Sequence, residues 1–303
     1  MMSNLSSSLD MLVILGPTAS GKTRLAVSLA EQMSGEIISA DSRQVFRGMD
    51  IGSGKDLNEY GRIPYHLIDI LDAGDEFSVF EFQRRFLFSF ADITNRGAFP
   101  ILCGGSGMYL DAVLRGYNMI EVPRNELLRA ELASKSDSKL VEELLRIRPC
   151  QHNSTDLFDR ERTVRAIEIA QMELKGCERE VSFPDINRCV IGIRWEREVL
   201  RRRITERLKD RIENGMIEEV ERLHADGVAW ERLDYYGLEY RFVGAHLRGE
   251  INRNDMFERL NSAIHNFAKR QRNWYRRMEQ HGIVINWIDG AADQLVQVRE
   301  IIK

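Results

Sequence analysis

Met11–Thr23 reads MLVILGPTASGKT, and its two halves decide the fold. The first half, Met11–Leu15, is an unbroken apolar run ending at glycine, the pattern of a strand buried on both faces of a parallel sheet. The second half fits G-x-x-x-x-G-K-[ST], and Thr23–Met33 continues with a helical pattern carrying Leu25, Ala26 and Leu29 on one side. Strand, glycine loop and helix in that order are the context this motif requires. Gly16, Pro17, Thr18, Ala19, Ser20, Gly21, Lys22 and Thr23 then form a phosphate cradle. Loop amides and the positive end of the helix attract a diphosphate. Lys22 adds a point charge, and the Thr23 hydroxyl is the candidate ligand for Mg2+. The loop reads as a diphosphate site of the kind found in nucleotide-binding and ATP-binding proteins, and a kinase or an ATPase would use the same one.

Further strands are expected at Glu36–Ala40, Phe99–Cys103, Cys189–Ile193 and Val284–Ile288. Helices are expected at Val79–Ile93, at Arg197–Leu223 with a break near Gly215, and at Asn254–Met278. Strands alternating with helices imply an α/β fold with a parallel sheet flanked by helices. Residues 123–185 are instead dense in charge and helix formers, which predicts a smaller helical insertion domain within a core made of 1–122 and 186–303.

Composition is that of an ordinary globular protein: 303 residues, 43% hydrophobic and 30% charged. No apolar run approaches the roughly 18 residues of a membrane span. Met1–Asp10 has neither the basic segment nor the apolar core of a signal peptide, so the expected place is the cytoplasm, with no membrane partner; the sequence leaves the oligomeric state open, a monomer being favoured. Cys103, Cys150, Cys177 and Cys189 form no CxxC pair and read as reduced thiols. A net charge of −4 excludes a uniformly basic surface but leaves room for basic patches. One such patch is Ala268–Arg277, AKRQRNWYRR, where Lys269, Arg270, Arg272, Arg276 and Arg277 surround Trp274 and Tyr275. Cations interleaved with aromatics suit an RNA backbone with splayed bases, and they also suit a basic amphipathic helix whose Trp274 is core. Asp41, just past the second strand, lies where α/β sheets bind ligands. There it reads either as a general base or as a residue that caps a turn or holds a cation through water. Arg162 and Arg165, three apart, share one helix face.

Six segments, in order along most of the chain, resemble the tRNA dimethylallyltransferases, also called tRNA isopentenyltransferases. They are GPTASGKT at 16–23, SADSRQVFRGMDIG at 39–52, PYHLIDIL at 64–71, GGSGMYL at 104–110, DRERTVRAIE at 159–168 and AKRQRNWYRR at 268–277. The resemblance implies a P-loop NTPase-like core whose loop holds dimethylallyl diphosphate. It implies transfer of the dimethylallyl group to N6 of adenine 37, beside the anticodon of tRNA. It makes Asp41 the base for the N6 proton, and an aromatic amine needs one because its lone pair is delocalised into the ring. Ser106 stands where threonine is usual and keeps the hydroxyl that orients the amine. Lys22 neutralises the leaving group. Ser42, Arg43 and Gln44 line the base pocket, and Gln44 has the shape to read an adenine edge in two places. Arg129, Arg162 and Arg165 reach the anticodon stem-loop from the insertion, and Lys269, Arg270, Arg272 and Arg276 reach it from the C-terminal helix.

The chain departs from the family pattern in three places. Tyr235–Arg241 reads YYGLEYR, so Glu239 stands where a cation is usual, and Arg241 is the nearest candidate to compensate. His152–Asp156 reads HNSTD in place of HPND, and the segment after Gly176 is short. These departures fall on the side of tRNA recognition and leave the catalytic half intact. An enzyme that prenylates free AMP shares that half. A kinase would need an ATP lid and an acceptor site for which no clear signature is present. A non-catalytic RNA-binding module would have no use for the full loop with Asp41.

Overall fold

A computed structural model describes residues 9–117, 119–149, 157, 159–174 and 183–303. Cys150, Cys177 and the HNSTD segment lie outside the described residues. The chain divides into two compact units, one of Met1–Gly116 with Asp185–Lys303, the other Tyr117–Pro184.

The larger unit starts with β1 (Met11–Leu15), α1 (Lys22–Met33), β2 (Gly35–Ala40), β3 (Tyr65–His66), α2 (Val79–Asn95), β4 (Phe99–Gly104) and α3 (Gly107–Leu114). The smaller unit contains α4 (Glu126–Ala133), α5 (Asp137–Ile147) and α6 (Arg160–Leu174). The larger unit resumes with β5 (Arg188–Arg194), α7 (Arg197–Glu213), α8 (Met216–Ala225), α9 (Trp230–Tyr236), α10 (Leu238–Leu247), α11 (Arg253–Gln280), β6 (Asn286–Asp289) and α12 (Gln294–Ile301). Gly215 at φ +97° separates α7 from α8, a left-handed conformation that glycine adopts without a Cβ penalty. Among the described residues no helix is long and apolar enough to cross a membrane.

Six parallel strands lie in the order β3-β2-β4-β1-β5-β6. Every residue of β1 and β2 is buried, as expected where helices cover both faces. Leu12, Ile14, Ile37 and Ile101 pack with Leu25 and Leu29 of α1 and Val298 of α12. Phe82 and Phe86 of α2 are fully buried, and the Phe82 ring stacks on Tyr109 of α3 at 4.2 Å. A second core joins α7, α8, α9, α10 and α11 to Val45, Phe46 and Met49. The smaller unit closes on Leu132, Leu140, Leu144, Val164, Ile167 and Ala170.

A buried carboxylate ties β2 to β3 and to the end of α2. Glu36, at the start of β2, receives Arg96 and His66, the latter at 2.7 Å. Arg96 above all holds its pKa down to about 2 against the opposing push of burial. Such a group binds fewer protons folded than unfolded, so its stabilisation is present above the ordinary carboxylate range and disappears as pH falls from about 4.5 to about 2. Glu36→Gln should therefore lower the urea midpoint at pH 7 and bring it closer to the wild-type value at pH 3. An equal loss at both pH values would show that Glu36 acts through packing alone.

Candidate active site

Register sets the site. Leu15 pairs with Gly104, and Gly104 with Ala40, so β1, β4 and β2 end at one level. The next residues of each strand, Gly16, Gly105 and Asp41, therefore start their loops side by side at the carboxyl edge of the sheet, where parallel α/β sheets bind ligands. A Cβ on Gly104 would collide with the Ala40 carbonyl, so glycine is what lets the two loops approach. Ser106 fastens them together: its amide donates to Ala40 O at 3.2 Å, and its Oγ accepts the Ser42 amide at 3.1 Å.

The phosphate loop is oriented from outside. Tyr275 Oη donates to Gly16 O at 2.9 Å, Arg203 Nε to Ala19 O at 3.0 Å and Trp195 Nε1 to Ser20 O at 3.0 Å. With those carbonyls turned outward, the peptide dipoles are left facing the cradle. Gly21, at φ +88°, starts α1 with no side-chain cap, and the first turn carries no acid. The first amides of α1 are thus available to an anion. Ser20 Oγ is buried and has no hydrogen-bond partner. Burial pushes the Lys22 ammonium below its ordinary value, and Arg207 adds to the push while Asp41 and Asp56 oppose it. A desolvated ammonium beside orphaned donors is a site prepared for negative charge.

Asp41 Oδ1 accepts the Arg43 amide at 2.9 Å, which fixes the carboxylate at the head of its loop. Gln44 is buried: its Oε1 accepts from Ser39 Oγ at 2.8 Å and its Nε2 donates to Gly54 O at 3.0 Å, bonds through which the amide orders the loop.

Helix α7 brings Arg203, Arg207 and Arg211 to the site at i, i+4 and i+8. Arg207 pairs with Asp56, and Arg211 lies 3.6 Å from Glu239. Glu239 is therefore not a negative charge facing outward. It is largely buried at the first turn of α10, and burial raises its pKa while Arg211 holds it down. The neighbouring cation is Arg211, while Arg241 bonds to Asp234 O instead.

Helix α11 serves two purposes. Lys269, Arg270, Arg272 and Arg276 are exposed, and Tyr275 is fully buried. Gln271 receives the Thr18 amide at 2.9 Å and donates to Gly105 O at 2.9 Å, bracing both loops. Trp274 packs on Gly107 so closely that a Cβ there would meet the indole. Gln271, Tyr275, Trp195 and Arg203 were not among the expected site residues. Gln271 and Tyr275 lie inside the AKRQRNWYRR segment, and Arg203 belongs to the four-residue arginine spacing of α7.

In the smaller unit Arg129 makes a bidentate contact with buried Glu168, at 2.8 and 3.0 Å, and Arg165 reaches the same carboxylate at 3.0 Å. Although burial raises the Glu168 pKa, Arg129, the Asn125 amide and Arg165 bring it to about 2. Both arginines thus order their unit, while Arg162 is exposed.

The donor set suits Mg2+. Among the described residues no three His, Cys, Asp or Glu converge, so a cation cage made of protein alone is not present. Thr23, at the first turn of α1, offers one hydroxyl beside the cradle, and Mg2+ usually keeps its waters and binds through substrate phosphates.

The sequence matches the family described as IPP transferase over residues 44–278, and that described as isopentenyl transferase over residues 9–62. It is 64% identical over 298 residues to tRNA dimethylallyltransferase 2 of Trichlorobacter lovleyi, covering 98% of each chain. It is 62% identical over 293 residues to tRNA dimethylallyltransferase 2 of Pelobacter propionicus, covering 97% of this chain and 94% of that one. The crystal structure of the full-length tRNA isopentenylpyrophosphate transferase from Bacillus halodurans has the same fold, with a TM-score of 0.71 at 32% identity, over 97% of this chain and 94% of the other. The phosphate loop, the register that sets Asp41 beside it and these near full-length likenesses lead to one assignment: the chain belongs to the IPP transferase family.

Proposed function

We infer that this chain transfers the dimethylallyl group of dimethylallyl diphosphate to N6 of adenine 37 of tRNA, releasing diphosphate. The observation that carries the reading is the shared edge of β1, β2 and β4, which sets an uncapped phosphate loop beside Asp41 and Ser106. The loop amides, Lys22 and Thr23 hold the diphosphate. As the allylic C–O bond breaks, its electron pair stays on diphosphate, where Lys22, the loop dipoles and nearby Arg207 stabilise the charge. Preorganised charge of this kind is usually the largest catalytic contribution. N6 of adenine bonds to the allylic carbon, and its proton passes to Asp41. Ser106 orients the amine. Thr23 would hold Mg2+, which would supply further charge neutralisation there.

The adenine has to leave its stack to enter such a site. Arg43 and Ser42 flank Asp41 and are the candidates to receive it. The exposed cations Lys269, Arg270, Arg272 and Arg276 of α11, together with Arg162 of the smaller unit, are assigned to the phosphate backbone of the anticodon stem-loop. Arg129 and Arg165 order the smaller unit around Glu168.

Incubation with labelled dimethylallyl diphosphate and unmodified tRNA, with AMP as a parallel acceptor, tests the reading. Label on tRNA alone is the expected result. Label on AMP keeps the chemistry and replaces the acceptor. Label on neither, with ATP consumed, would return the loop to a kinase role.

A further inference from the structure

Tyr235, at the end of α9, is unusual among the large side chains near the site because it is 57% exposed and yet closely held. The Arg43 guanidinium lies 5.5 Å from its ring centroid, and that of Arg232 lies 5.8 Å away. Arg43 Nη2 also donates to the Tyr235 carbonyl at 3.2 Å. Arg232 is oriented by Glu76 at 3.5 Å. Next in sequence, Tyr236 is fully buried, its ring 4.6 Å from Phe46, and its hydroxyl donates to Asp75 O at 3.1 Å. The backbone beneath Tyr235 is therefore rigid while its ring faces water.

The ring is linked to the proposed acceptor site through Arg43. Arg43, which holds it, donates its own amide to Asp41. Tyr109 of α3, three residues beyond Ser106, feels the charges of Arg43 and Asp41 together with Tyr235. A half-exposed aromatic ring with two guanidinium groups within 6 Å of its centroid has the chemistry of a base-stacking platform: the exposed part of the ring takes the π-face of a base, and the cations take the adjoining phosphates. When the acceptor adenine leaves its stack, the base next to it loses a neighbour, and an exposed aromatic ring can replace that neighbour.

We propose that Tyr235 is a substrate-specificity residue that stacks on the nucleotide flanking the acceptor adenine in the anticodon loop, with Arg43 and Arg232 gripping the phosphates of that nucleotide. The proposal rests on the tRNA reading above. A surface tyrosine merely anchored by two arginines would have no dependence on the neighbouring base.

The test uses an anticodon stem-loop RNA and three variants, Tyr235→Ala, Tyr235→Phe and Tyr235→Trp. Tyr235→Ala should raise KM for the RNA about tenfold, within the range of base–aromatic stacking. KM for dimethylallyl diphosphate and the thermal midpoint should stay near wild type. Phe and Trp, which keep a π-face, should restore KM to within about threefold of wild type. RNAs carrying an abasic nucleotide on one side or the other of the acceptor then locate the contact. On the contacted side, the abasic RNA should weaken wild type about tenfold and Tyr235→Ala no further than its own loss. Unchanged KM in Tyr235→Ala overturns the proposal, as do losses that multiply at both abasic positions. Wild-type enzyme that transfers no label to the RNA overturns the tRNA reading itself, and this inference with it.

Discussion

Asp41→Asn should lower the single-turnover rate of dimethylallyl transfer to tRNA by about a hundredfold to ten-thousandfold, the usual contribution of a positioned general base. Asparagine is the informative replacement. Its carboxamide oxygen can still accept the Arg43 amide that Asp41 Oδ1 takes at 2.9 Å, so the loop between β2 and Ser106 keeps its shape. What disappears is the negative charge and the capacity to take a proton. Diphosphate binding should survive, because Asp41 only opposes the downward push on the Lys22 ammonium. KM for dimethylallyl diphosphate should then stay within a few-fold while the chemical step slows, which is the signature of an interaction made in the transition state. Single-turnover measurement is needed because product release often limits steady-state rates. A wild-type rate in Asp41→Asn would remove Asp41 from the proton transfer and leave it as the residue that caps its own turn.

The parts of the fold that were legible in the sequence are those where one local rule dominates. β1 and β4 are continuous apolar runs ending at glycine, and α2, α7 and α11 are long enough for their apolar faces to repeat. The short elements were not legible. β3 has two residues. Seven of the eight residues of α3 are buried, so no alternation of polar and apolar residues betrays it. α10 follows Gly237, at φ +143°, within a run of aromatics that offers neither a side-chain cap nor a period. At the site, the contiguous motif and Asp41 were readable because their chemistry is local. Gln271 and Tyr275 were not, because they act on Thr18 and Gly16 from more than 250 positions away. Gln44 shows the converse: its side chain has the shape to read an adenine edge, but the fold gives both ends of its amide internal partners. Glu239 looked like a reversed charge beside RNA until Arg211, on another helix, appeared beside it.

Glu219→Ala should destabilise the larger unit by about 3–5 kcal/mol, since each buried donor left unsatisfied costs about 1–3 kcal/mol. Glu219 is 1% exposed and lies on α8. Its Oε2 accepts the amides of Asp50 and Ile51 at 2.9 and 2.7 Å, and its Oε1 accepts the Gly52 amide at 3.0 Å and the Tyr240 hydroxyl at 3.0 Å. One carboxylate thus substitutes for a missing strand partner, satisfying three consecutive backbone donors that would otherwise be costly to bury. Alanine leaves all three unpaired and opens a cavity against Tyr240. Against a typical total of about 5–15 kcal/mol the loss is large, and the thermal midpoint should fall by roughly 6–20 °C. Glu219→Gln should cost less than alanine. Its carbonyl oxygen can keep the Asp50 and Ile51 amides and its NH2 can donate to the Tyr240 oxygen, so the Gly52 amide and the Tyr240 hydroxyl proton lose their acceptor. The order wild type, Gln, Ala in thermal midpoint is the expected result, and equal losses for Gln and Ala would show that the negative charge matters more than the count of acceptors. Well below the midpoint, Glu219→Ala should transfer dimethylallyl in single turnovers at a rate within about tenfold of wild type. Its bonds hold the Asp50–Gly52 backbone and Tyr240, and none reaches the phosphate loop or Asp41. A loss as deep as that of Asp41→Asn in a folded Glu219→Ala protein would mean that the Asp50–Gly52 segment, and the Asp56–Arg207 pair that follows it, set the charge around Lys22 during the reaction.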